Sequence, residues 1–258
     1  MDAICDDLQA ETDALVAVVA GLSEEQWHLP TPAKGWDSHE TIIHLGMADY
    51  AARVAAVDAD EFGTLKQAMV AGEFDLHQAS GADVHAMTGD ELLVWFKSER
   101  AQMMAAFRAR APKDRLPWFG PDMSTLSSAT ARMMETWSHG SDVASTFGVE
   151  WTATDRLRHV AHIGVATRGW SYINRGLEVP SGTVRVELTA PSGEEWTWGP
   201  EDADATVRGT ALDFCLLATQ RRHRSEVALS AEGELAEDWL NIAQAFAGPA
   251  TDTRSAVD

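Results

Sequence analysis

The chain has 258 residues, 45% apolar and 23% charged, which allows a sizeable packed core in one or two domains. Forty acidic against twenty basic residues leave a formal net charge of −20. Such a field repels phosphate backbones and anionic headgroups, so nucleic acid and membrane surfaces are excluded as expected partners.

The acidic start Met1–Asp7 lacks the positive and apolar stretches of a secretion signal, and no run of about 18 apolar residues offers a membrane span. Only two cysteines occur, Cys5 and Cys215, with no CxxC pair. Both are expected to pack as small apolar residues in a reducing, cytoplasmic compartment.

Residues 2–22 carry Ile4, Leu8, Leu15, Val18, Val19 and Leu22 at helical spacing, with acids between them. Gly21 and Ser23 mark an end and a new start. Two prolines and a glycine make 30–36 a loop, after which Ser38 can open a helix to about Val57. A weaker segment covers 60–80. Thr88-Gly-Asp-Glu91 fits a capping box ahead of Leu92, Leu93, Phe96, Met103, Met104 and Phe107. That helix is expected to end near Ala111, and 117–121 to form a loop. Further helices are expected over about 124–147 and 154–175.

Beyond Pro180 the period changes to two: Val184, Val186 and Leu188 alternate with polar residues, and 195–199 reads as a returning strand. A short strand around Val207, a helix over 210–222, a strand over 226–231 and a helix over 234–246 follow. The expectation is an α plus α+β protein. An up-down four-helix bundle with an extra helix spans 1–178, a small α+β domain spans 179–250, and a tail spans 251–258.

Glu135 and His139 are four residues apart, so a helix sets them on one face a turn apart. His44, on an earlier helix, can join them, because a bundle core draws ligands from facing helices. Two imidazoles and a carboxylate suit a divalent metal, zinc first, and leave positions open for water or substrate; iron, nickel and manganese accept the same set. A second reading stays open. Ser128, Arg132, Glu135, His139, Asp142 and Thr146 form one polar stripe, which would serve equally as a solvated face with Arg132 paired to Glu135.

The segment Gly35-Trp-Asp-Ser-His-Glu-Thr-Ile-Ile-His44 resembles the start of the second helix of the DinB-like superfamily, where a tryptophan precedes a metal-binding histidine by two turns. Met134-Glu-Thr-Trp-Ser-His139-Gly-Ser-Asp142 resembles the second motif of its mycothiol-dependent maleylpyruvate isomerase branch. The run from Ala205 through Gln220-Arg-Arg222 to Trp239 resembles that branch's sterol-carrier-like C-terminal domain. The resemblance implies a metal triad of His44, Glu135 and His139, and mycothiol as cosubstrate. It implies an isomerase or S-transferase acting on a small molecule.

Two other functions compete: a metal-dependent hydrolase without thiol, and a non-catalytic protein holding a small molecule or lipid. Glu40 and Asp142 are candidates to support the ligands, and His162, near His159, to act as acid or base. Arg221 and Arg222 are candidates to hold an anionic substrate. His39, five residues before His44, points to another face.

Overall fold

A computed structural model describes residues 1–71, 81 and 83–251. The expected tail at 251–258 therefore lies outside the described residues apart from Thr251, as does the end of the weaker segment, 72–80. The described chain forms two compact units, Met1–Trp151 and Thr152–Asp258.

The first unit is built on four long helices: α1 (Asp2–Val19), α3 (Ser38–Val57), α5 (Gly89–Arg108) and α6 (Thr125–Thr146). Shorter pieces join them. They are α2 (Glu24–Trp27), α4 (Ala59–Ala71) and a two-stranded ribbon of β1 (Arg115–Leu116) and β2 (Met123–Ser124). The helices start where side chains satisfy the first amides. Ser23 and Thr88 form capping boxes with Gln26 and Glu91, and Asp37 and Ser124 accept from Glu40 and Ser127.

The apolar stripes meet in two clusters along the bundle. Leu15, Ile42, Leu45, Phe96 and Val143 anchor one; Leu8, Ala52, Met103, Phe107 and Met133 anchor the other. Two glycines set close approaches. A Cβ on Gly46 would fall 2.3 Å from the Trp95 ring, and one on Gly140 would fall 2.5 Å from Trp151. Either substitution would displace an indole that seals the bundle beside His44 or His139.

The second unit contains α7 (Leu157–Ala166), α8 (Arg168–Ile173), α9 (Ala211–Ala218), α10 (Glu234–Ile242) and strands β3 (Val184–Thr189), β4 (Glu195–Trp198), β5 (Ala205–Thr210) and β6 (Ser230–Glu232). The sheet order is β4-β3-β5-β6. β3 pairs with β5 in parallel, and both outer pairs are antiparallel. Val186, Leu188, Trp196, Val207, Phe214 and Trp239 form its buried side.

The division falls near 151 rather than 178. The helix expected over 154–175 breaks at Thr167, whose hydroxyl turns back to the carbonyls of Ile163 and Gly164. Its first half packs against α9, with Phe214 2.9 Å from where a Gly164 side chain would stand. An amphipathic helix shows its apolar face in the sequence but not the surface that will cover it.

Candidate metal centre

His44 lies two turns into α3. Its helix is aimed by the loop before it, where the Thr31 amide donates to the Trp36 carbonyl at 2.8 Å and Asp37 caps the first turn. Glu135 and His139 stand on successive turns of α6. The two helices pack side by side, and the three side chains converge with donor atoms within 4.8 Å of one another.

Glu135 Oε2 lies 3.2 Å from His44 Nε2 and 3.4 Å from His139 Nε2. Donors set 2.0–2.2 Å from one ion at tetrahedral angles stand about 3.3–3.6 Å apart, close to the two separations from Glu135, and all three donors lie within 4.8 Å of one another. Burial alone would raise the Glu135 carboxyl. The hydrogen bonds from His139 and then His44 overcome that and hold it well below the ordinary range. Desolvation lowers His44, which favours the neutral ring a metal requires.

The side chains of Glu135 and His139 are 17% and 12% exposed and that of His44 is 37%, so the cluster opens on the His44 side. Trp36 covers it: its ring stacks on His139 at 5.2 Å and 10°, and meets His44 at 4.8 Å and 59°. Asp142, buried, points Oδ2 to within 3.5 Å of His139 Nδ1. With a metal bound, that contact would keep the ring's N–H on Nδ1 and leave Nε2 to act as the ligand.

Other expected residues fall elsewhere. Glu40 is half exposed and pairs with His85 at 3.3 Å. His39 is buried and bonds the Met87 carbonyl at 2.9 Å. His162, exposed in the second unit, accepts from the Trp198 indole at 3.3 Å. Arg221 and Arg222 follow α9, where their guanidinium groups donate to the Thr219 and Arg221 carbonyls. These are local bonds at a helix end.

Sequence reasoning missed the floor of the cluster. Arg100, buried, donates to Asp49 at 2.6 Å, to Thr12 at 2.6 Å and to Thr136 at 3.1 Å, joining α1, α3, α5 and α6. Thr136 follows Glu135 directly, and Asp49 lies five residues after His44. The signal was legible, since Arg100 interrupts the apolar stripe of Phe96, Met103 and Met104. The expected Arg132–Glu135 pair is absent among the described residues; Arg132 instead lies 5.5 Å over the Trp118 ring.

The chain matches the family described as the mycothiol maleylpyruvate isomerase N-terminal domain over residues 8–144. Residues 180–232 match one described as wyosine base formation. Two uncharacterized proteins from strains of Mycobacterium tuberculosis are each 45% identical over 243 residues, covering 94% of this chain and 95% of theirs. Crystal structures of the mycothiol-dependent maleylpyruvate isomerase and of a mutant of it share the fold, with TM-scores of 0.54 and 0.53. Each is 15% identical and covers 89% of this chain and 92% of its own.

Proposed function

This chain belongs to the mycothiol maleylpyruvate isomerase N-terminal-domain family, in the DinB-like superfamily, and on that premise we propose that it is a divalent-metal-dependent enzyme acting on a small molecule with a low-molecular-weight thiol. The observation that carries this reading is the convergence of His44, Glu135 and His139 from two helices onto a space open on one side.

In this reading Glu135 supplies the anionic ligand, and His44 and His139 supply neutral imidazole nitrogens. When bound, a cation such as zinc supplies a Lewis acid that lowers the pKa of a thiol and holds it as the thiolate. Asp142 fixes the His139 tautomer, so that Nε2 keeps its lone pair for the centre. Trp36 closes one side with an apolar ring, which keeps water off His139 and directs approach to the His44 edge. The Arg100–Asp49 pair ties α3 and α6 together beneath the donors, so their separation is held before any ligand arrives.

The reaction class is addition of the thiol sulfur to an electrophilic carbon. It ends as isomerisation if the sulfur leaves again, and as S-transfer if it stays. In this reading the second unit, with its four-stranded sheet, would be the counterpart of the sterol-carrier-like domain that the sequence resembles.

Elemental analysis of the purified protein, with turnover of electrophilic substrates assayed by mass spectrometry with and without mycothiol, tests the reading. The expected result is about one equivalent of metal, and products that require both metal and thiol. Turnover unchanged without thiol would establish the hydrolase instead. Full function in a His139→Ala variant would establish a non-catalytic binding protein.

A further inference from the structure

The charges enclosed beneath the cluster do not pair off completely. Asp49 Oδ2 takes Arg100, and Glu135 Oε2 faces the two imidazoles. That leaves Arg132, whose residue is 7% exposed and whose Nη1 is enclosed with no hydrogen-bond partner among the described residues. Asp49 Oδ1 is likewise enclosed without a hydrogen bond among the described residues, and an enclosed guanidinium nitrogen with no acceptor is costly, which calls for a partner.

Its position says what that partner touches. Arg132 stands one turn before Glu135 on the face of α6 that also carries Thr136 and His139. It lies within electrostatic reach of His44 and Asp49. On the outer side, Trp118 lies under the guanidinium at 5.5 Å, held by Lys66, which donates to the Trp118 carbonyl at 2.6 Å, and by stacking on Phe62 at 6.0 Å. The fork is thus immobilised between an aromatic plate and the donor cluster, an arrangement that suits bidentate capture of a planar oxyanion.

We propose that Arg132 is the specificity-determining residue of this site, receiving a carboxylate of the ligand that binds beside His44, Glu135 and His139. The proposal rests on the functional reading above for the identity of the site, and adds the charge of what enters it. Beside a bound cation, the enclosed guanidinium offers a carboxylate of the ligand a partner of opposite charge. The site would thereby concentrate an anion inside a chain whose overall charge of −20 repels it.

The test compares succinate with succinamide, its uncharged counterpart, by calorimetry on the full-length protein in metal-stripped and zinc-loaded forms. Arg132→Gln and Arg132→Lys variants are measured beside the wild type. The expected result is binding of succinate but not succinamide. Binding should weaken by about 10- to 100-fold in Arg132→Gln, as loss of a charged hydrogen bond implies, and by less in Arg132→Lys, which keeps a point charge. Zinc content should be unchanged in both variants.

The proposal is overturned if Arg132→Gln binds succinate as tightly as the wild type, or if the wild type binds the two probes alike or neither at millimolar concentration. A water bridging Arg132 Nη1 to Asp49 Oδ1 would produce that last pattern. Loss of zinc in a folded Arg132→Lys protein would also overturn it, by showing a structural role. A wild type that takes up no metal refutes the functional reading alone, because the metal-stripped comparison still reports on Arg132.

Discussion

Two groups of histidines draw on the same helix, α3, and use their ring nitrogens differently. His39, His28 and His85 gather near its first turns, with His28 and His39 rings 5.1 Å apart, and each has a partner of its own. His39 takes the Met87 carbonyl, His28 the cap residue Asp37 and His85 the carboxylate of Glu40. His44, five residues after His39, shares one carboxylate oxygen with His139. Histidines near one another are therefore no evidence of a ligand set. What separates the groups is whether the nitrogens point at one place, and among the described residues only His44, Glu135 and His139 meet that condition.

The largest expected effect breaks the comparison outright if it fails. Glu135→Ala and His139→Ala should each reduce metal from about one equivalent to near none by elemental analysis, with helical content retained by circular dichroism. His39→Ala should keep its metal; if it loses it, the two groups are not distinct.

Next comes the Arg100–Asp49 pair beneath the ligand cluster. Arg100→Met leaves Asp49 buried without its cation and should cost about 3–5 kcal/mol in urea denaturation. A double change of Asp49 and Arg100 to apolar residues should cost less than the sum of the two single changes. Additive losses would show that the pair is not coupled.

A narrower contrast concerns the carboxylates beside each group. Asp142→Asn should weaken metal affinity by about 10- to 100-fold, the usual consequence of losing a residue that orients a metal-binding histidine. Glu40→Gln, which touches His85, should leave affinity unchanged. Equal effects in a competition titration with a chelator would erase the distinction.

His39→Ala should lower stability by about 1 kcal/mol, since the Met87 carbonyl loses its donor in a partly buried setting. Thermal and urea unfolding measure this directly.

The smallest effect lies outside both groups. Burial pushes the Cys215 thiol well above its ordinary value. The folded protein therefore resists ionisation that the unfolded chain permits. Its contribution is fully present below the unfolded thiol pKa of about 8.5 and is lost as pH rises above it. Stability should decline in that alkaline range, and the decline should be smaller in Cys215→Ala, with Cys5, Tyr50 and Tyr172, also raised by burial, accounting for the rest.

Much of this architecture was legible in the order of residues. The capping box at Thr88 and Glu91 and the alternation at Val184, Val186 and Leu188 identify their elements through local chemistry, and the structure follows them. The spacing of Glu135 and His139 likewise depends only on the helical pitch, which is a local property. The partnership of Arg100 with Asp49, 51 residues away, was not legible, because an ion pair across helices depends on which stripes face each other. The same holds for the second half of the division: the helix after Thr154 carries an apolar face, but its sequence is silent on whether the bundle or the sheet unit will cover it.

By itself the sequence determined the acidic character, the run of helices followed by strands, and the placing of Glu135 and His139 on one helix face. Each of these depends on composition or on the short periods of helix and strand. Only the tertiary structure decided that His44 meets Glu135 across 91 residues while His39 turns away, that Trp36 covers the pair, and that Arg132 lacks an oxyanion partner. Those outcomes follow from how apolar faces pack against one another, and that information is shared among helices rather than carried in any one of them.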